Sequence, residues 1–277
     1  MEDFPDLKYD MKSIVKELIE KNIATKNEDG SVWVVFDDEL KITSCIIQTK
    51  NWKQWYLASD LSAIKYRMEN WSPEKIIYFI DVRQQLHLKQ AFLIAKKAGW
   101  LNSTQLFHAH NWFISLKDGA MSTRTWRIIK LDKLIDESED RAKKIILEKR
   151  DDLFEKELKD LSRIIWIWAI KYGYLKKSRE TDVVFDWDEF MTFEWNSGPY
   201  IQYAYVRWIR ILEKYNHKIS PFTKGSTWNV VEGEGFTEKE EIELVKLLLN
   251  YDKVLEETAL KNMPHVLCNY TYSLTKA

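Results

Sequence analysis

Residues 72–98, SPEKIIYFIDVRQQLHLKQAFLIAKKA, decide how the first half of this chain is read. Ser72-Pro73 breaks the preceding helical pattern, because proline lacks an N–H and disfavours helical backbone in the residue before it. Ile76-Ile77-Tyr78-Phe79-Ile80 follows as an unbroken apolar run, the pattern of a strand buried on both faces of a parallel sheet. Residues 85–98 return to helical spacing, with Leu86, Ala91, Phe92 and Ala95 among the apolar positions. Residues 59–69 upstream also read as helix, and helix–strand–helix order predicts α/β architecture with a parallel sheet.

Outward from this unit, residues 10–23 predict a helix carrying Met11, Ile14, Val15, Leu18 and Ile19 on one face. Residues 31–48 predict short strands, Val34 to Phe36 and Ile42 to Ile47, around a turn at Asp37–Glu39, entered through Asn27, Asp29 and Gly30. Phe113 to Leu116 and Arg127 to Leu131 read as further strands, with a turn at Lys117-Asp118-Gly119. Beyond about residue 132 the pattern is almost entirely helical. The charge-dense stretch 135–160 interleaves signs, which fits a solvated helix better than a nucleic-acid patch. Tyr200 to Tyr215 predicts an amphipathic helix and 216–236 a loop. Thr237 and Glu240 have capping-box spacing before a helix expected to bury Ile242, Val245 and Leu248. The expected fold is thus α/β followed by all-α.

Composition narrows the function classes. Among 277 residues, 42 Lys+Arg face 43 Asp+Glu, so there is no global basic footprint for nucleic acid. The longest apolar run, Ile164 to Ile170, falls far short of the ~20 residues of a membrane helix. The acidic start MEDFPDLKYD has no apolar core of a secretory signal, so a cytoplasmic protein without membrane contact is expected. Cys45 and Cys268 form neither a disulfide framework nor a metal-ligand cluster. One feature is anomalous: the chain holds 8 Gly and 13 Trp. Ordinary usage would give about 19 glycines at this length.

Three segments carry candidate chemistry. In YLASDLSAIKYR, Tyr56 and Asp60 are four residues apart, so a helix starting here puts an aromatic ring and a carboxylate on one face, a pairing suited to a guanidinium. The same residues also fit an N-capping Ser59 or Asp60 beside a core tyrosine. In IIYFIDVRQQLHLKQ, Gln84 and His87 follow the carboxyl end of a strand, where open α/β sheets bind ligands. A single histidine there also fits a structural role. In LKDGAMSTRTWRIIKLDKLIDES, Ser122, Thr123 and Arg124 offer hydroxyls and a fixed cation that can stabilise a transferring phosphoryl group, or form merely a polar loop.

Taken with DVVFDWDEFMTFE and SGPYIQYAYVR, these segments resemble arginine–tRNA ligase, a class I aminoacyl-tRNA synthetase, over nearly the whole chain. The resemblance implies residues 1–155 as the C-terminal part of a Rossmann-like catalytic domain with a KMSKS-type loop at 117–126, and 156–277 as a helical stem-contact region leading into the anticodon-binding domain. It implies arginine binding by Tyr56, Asp60 and Gln84. It places His87, Phe113, Ile114 and Met121 at ATP, and gives Ser122, Thr123 and Arg124 the catalytic loop. Ala120 stands where the family often has lysine. The implied substrates and partners are ATP with accompanying Mg²⁺, L-arginine and tRNA(Arg), with no metal site built by the protein and a monomeric full-length enzyme.

The chain departs from that pattern in two ways. It contains no HIGH signature, its histidines lying at 87, 108, 110, 217 and 265, so it is expected to be a partial chain. The alternative function is then a catalytically incomplete piece that at most binds tRNA. Secondly, the family usually has glycine where this chain has Trp112, Trp126, Trp168 and Trp195, and glycine reads naturally at Trp52, Trp71, Trp166 and Trp228. Trp187, in FDWDE, matches a family tryptophan. A lineage that reads UGA as glycine, translated with a code that writes tryptophan at UGA, would produce this bias, whereas a decaying gene copy would scatter its damage.

Overall fold

The computed structural model describes residues 11–51, 56–111, 114–116, 119–120, 131–150, 152–214 and 238–277. The sequence expectations at Phe113, Lys117, Asp118, 121–130, 216–236 and Thr237, and at Trp52, Trp112, Trp126 and Trp228, lie outside these residues. The chain divides into two compact units, 1–111 and 112–277.

In the first unit, α1 (Met11–Glu20) buries Ile14, Val15 and Leu18, the face its spacing predicts. An antiparallel sheet follows in the order β1 (Thr25–Lys26), β2 (Val32–Val34) and β3 (Cys45–Gln48). These strands are shorter than expected: Val35 is exposed, and a 3₁₀ turn at Asp38–Leu40 replaces pairing. The helix α2 (Tyr56–Trp71) packs through Leu57, Leu61 and Ile64 against α3 (Gln85–Lys97), which contributes Ala91, Ile94 and Ala95. Between them runs β4 (Lys75–Tyr78), parallel to β5 (Gln105–His108). Glu17 ties the unit together. Its carboxylate accepts from Lys65 Nζ at 2.5 Å, Lys21 Nζ at 2.8 Å and Trp100 Nε1 at 2.9 Å. Burial opposes the charge, but these donors outweigh it and hold the carboxyl at about 2.

The parallel pair confirms the α/β reading and corrects one part of it. The sheet has two strands among the described residues, and Phe79 is 72 % exposed, so the apolar run at 76–80 is not a strand covered on both faces. Leu86, one of the apolar positions of α3, is half-exposed.

The second unit contains a small sheet and a helical assembly. The strand β6 (Ile114–Leu116) pairs antiparallel with β7 (Gly119–Ala120) and parallel with β8 (Val183–Phe185). Leu131, expected to end a strand, begins α4 (Leu131–Leu147), and the charge-dense stretch splits between α4 and α5 (Glu155–Leu175). The short helix α6 (Trp187–Met191) leads into α7 (Gly198–Lys214). A Cβ at Gly198 would lie 2.5 Å from the Trp168 carbonyl oxygen, so only glycine lets the start of α7 close on α5 there. Then come α8 (Lys239–Leu249), α9 (Tyr251–Lys261) and α10 (Pro264–Lys276). The face expected to be buried in α8 is not: Ile242 and Leu248 are both exposed, and no α8 residue is fully buried. Among the described residues, no helix is long and apolar enough to cross a membrane.

Two groups stand out among the described tryptophans. Trp33 donates its Nε1 to Ser31 Oγ at 3.1 Å, and Trp100 donates to Glu17. Trp187 packs edge-on to Phe185 at 4.8 Å, with the Arg141 guanidinium 4.8 Å above its ring. By contrast, Trp166 buries its Nε1 with no hydrogen-bond partner among the described residues. Trp168 is 49 % exposed and Trp195 is 72 % exposed. Trp195 also has φ +59°, the left-handed region that favours glycine. Trp71 falls between the groups: it is 66 % exposed but keeps an edge-to-face contact with Tyr66.

Candidate functional site

The helix α2 starts at Tyr56 itself, so Asp60 lies one turn along the same face. This geometry excludes the N-cap reading of Ser59 or Asp60. Across from it, the carboxyl end of β4 runs into a 3₁₀ turn, Val82–Gln84, that is tightly held. Asp81 accepts from the Arg83 backbone N–H at 2.8 Å and pairs both its oxygens with the Arg83 guanidinium at 2.9 and 2.8 Å. The Arg83 donors pull the Asp81 carboxyl below its usual range. The turn delivers Gln84 to the start of α3 and His87 to its first turn.

The two elements meet around one cavity of about 530 Å³, lined by Tyr56, Asp60, Gln84 and His87. His87 Nε2 lies 2.6 Å from Asp60 Oδ2. Tyr56 is 77 % exposed at the rim. Thus all three residues expected at arginine come together, and His87, expected at the nucleotide, stands beside their carboxylate. Ile114 belongs to β6 in the second unit, and the remaining expected ATP and loop residues, Phe113, Met121, Ser122, Thr123 and Arg124, lie outside the described residues.

Sequence reading missed other parts of the wall. Trp33, Ser44, Cys45 and Gln90 also line the cavity. Gln90 is buried, and its amide donates to the Thr43 carbonyl at 2.8 Å, tying α3 to the loop before β3. Its signal was present: Gln84, His87 and Gln90 recur every third residue, which places them along one helix face. Burial pushes the Cys45 thiol up to about 11, so it remains a neutral wall group.

One carboxylate, the primary amides of Gln84 and Gln90 and an aromatic ring at the mouth suit this cavity to a cation. A larger groove of about 640 Å³ in the second unit is lined by Trp168, Phe193, Pro199 and Val206 among others, and its polar side-chain groups are those of Gln202, Trp168, Tyr203 and Tyr205. It offers no charge with which to select a substrate.

A family model described as tRNA synthetases class I (R), catalytic domain, matches residues 7–187. The chain belongs to the class I (R) tRNA synthetase family. A second model, the DALR anticodon binding domain, matches residues 201–277. The arginine–tRNA ligase of Serratia proteamaculans is 37 % identical over 268 residues, 94 % of this chain and 45 % of that protein. That of Saccharophagus degradans is 36 % identical over 275 residues, 96 % of this chain and 45 % of the relative. The arginyl-tRNA synthetase of Plasmodium falciparum superposes with a TM-score of 0.78 at 25 % identity, covering 96 % of this chain and 44 % of that one. The Thermus thermophilus enzyme shares the fold, with a TM-score of 0.74 at 20 % identity over 96 % of this chain and 48 % of that one. This synthetase chain therefore spans about 45 % of the length of the relatives it matches.

Proposed function

We propose that this chain is part of an arginine–tRNA ligase and supplies its arginine pocket, its KMSKS-type loop and the start of its anticodon-binding domain. The observation that carries this reading is the meeting of Tyr56, Asp60, Gln84 and His87 on one cavity, in a chain matched by both family models. We place the catalytic part at 1–155 and the stem-contact and anticodon-leading part at 156–277.

In this reading the guanidinium lies against the Asp60 carboxylate and the Tyr56 ring, with Gln84 as a further polar contact. The arginine carboxylate oxygen attacks the ATP α-phosphorus in line, the bond to the β-phosphate oxygen breaks, and pyrophosphate leaves. A terminal ribose hydroxyl of tRNA(Arg) then attacks the adenylate carbonyl carbon and AMP leaves. No covalent enzyme intermediate is needed, so the protein contributes positioning and charge stabilisation. Phe113, Ile114 and Met121 are assigned to ATP, and Ser122, Thr123 and Arg124 to the charge developing on its phosphates. Mg²⁺ is assigned to ATP itself, where it neutralises phosphate charge. Among the described residues no group of three His, Cys, Asp or Glu side chains is placed to hold a metal.

A second reading, a tRNA-binding piece without charging activity of its own, is supported by the absence of a HIGH sequence from these 277 residues. The deciding assay supplies the purified chain with L-arginine, ATP and arginine-accepting tRNA. The expected result is tRNA binding without charging. Charging by this chain alone would overturn the partial-enzyme reading, and failure to bind the tRNA at all would overturn both readings.

A further inference from the structure

We infer that His87 is a positioning residue for Asp60, fixing that carboxylate so that its free oxygen faces an incoming guanidinium; the inference rests on the arginine reading above. The primary observation is the 2.6 Å contact between His87 Nε2 and Asp60 Oδ2. It engages one carboxylate oxygen, while Oδ1 has no hydrogen-bond partner among the described residues. An unheld aspartate rotates about its terminal torsion, which is broad rather than sharply staggered. A donor on one oxygen removes that freedom and orients the other before the ligand arrives, which lowers the ordering cost of binding.

The platform beneath the pair is rigid. The α2–α3 interface already contains Leu61, Ile64, Ala91, Ile94 and Ala95, each with no exposed surface. Gln90, one turn beyond His87, is hydrogen-bonded to Thr43 and fixes the rotation of α3. The helices therefore do not need the His87–Asp60 contact to hold them together. Both side chains also face the cavity rather than the interface core. A contact that the packing does not require, at the rim of a cation cavity, is placed to serve the ligand.

The test measures L-arginine binding to the whole chain by calorimetry, with L-citrulline as a neutral probe of the same shape, and follows folding by circular dichroism. Glutamine places its amide nitrogen near the position of histidine Nε2, whereas asparagine carries the same donor on a shorter arm. His87→Gln is expected to retain arginine affinity within about threefold, and His87→Asn and His87→Leu to weaken it about tenfold, the scale of one lost hydrogen bond to a charged group. Melting temperatures should not follow this order. Equal affinities in His87→Leu and the unaltered chain would overturn the positioning role, as would His87→Gln failing as badly as His87→Asn. If the unaltered chain binds arginine no better than citrulline, the arginine reading itself falls and the inference falls with it.

Discussion

Trp187 and Trp195 stand eight residues apart in the connection from β8 to α7, and the fold treats them in opposite ways. Trp187 opens α6 behind the Asp186 cap, packed edge-on to Phe185 and covered by Arg141. Trp195 projects into solvent from a left-handed backbone that its own side chain disfavours. That backbone is held by its neighbours: Ser197 Oγ donates to the Thr192 carbonyl at 2.6 Å, Tyr172 OH donates to Asn196 Oδ1 at 2.5 Å, and Lys176 Nζ donates to the Asn196 carbonyl at 2.8 Å. The loop therefore imposes positive φ at 195 whatever residue stands there, and glycine meets that demand without strain. The contrast separates a tryptophan that the fold uses from one that it accommodates.

The largest expected effect tests the used side. Trp187→Gly should destabilise the second unit by about 3 kcal/mol or more in urea unfolding, the scale of deleting a packed aromatic ring. A loss below 1 kcal/mol would erase the contrast.

A second used tryptophan, Trp100, acts through Glu17. Because the folded carboxyl titrates at about 2 against an ordinary 4.5, its stabilisation is fully present above about pH 4.5 and is lost as pH falls toward 2. It amounts to at most about 3 kcal/mol. Glu17→Gln should flatten that part of the acid unfolding curve. Trp100→Phe, which removes one donor, should cost about 1 kcal/mol at pH 7 and move the acid transition upward. An unchanged acid transition would take Trp100 out of the used group.

On the accommodated side, Trp195→Gly should stabilise the chain by about 1 kcal/mol, the left-handed strain relieved less the extra freedom of glycine when unfolded. Trp195→Ala should gain little, because alanine carries the same left-handed penalty. Equal behaviour of the two variants would mean that backbone strain is not what distinguishes position 195. The smallest effect belongs to Trp166→Phe, which removes the unpartnered buried Nε1 and should change stability by less than about 1 kcal/mol, in the favourable direction.

The used features were the legible ones. Tyr56 and Asp60, and Gln84 and His87, were readable because helical spacing converts directly into a shared face. The strands β5 and β8 were not, because four and three residues are too few to show a period. Phe79 was misassigned because an apolar run records hydrophobicity and not how many strands flank it. Ile242 and Leu248 show the same limit in a helix, whose spacing defines a face without saying what covers it. Gln90 was missed because a buried amide looks polar in sequence until its partner, the Thr43 carbonyl, is known. At 195 the substitution bias pointed to glycine, and only the backbone angle supplied a physical reason for it.

Glycine in place of tryptophan bears on function because Trp112 and Trp126 stand in the segments assigned to ATP and to the KMSKS-type loop, where glycine permits close backbone approach and a bulky ring does not. One measurement tests it directly. Trypsin cleavage after Arg179 and Arg207 releases a single peptide, Glu180 to Arg207, that contains both positions. Sequenced by mass spectrometry from the protein isolated from its natural source, it should carry tryptophan at 187 and glycine at 195. Tryptophan at both positions would contradict the account.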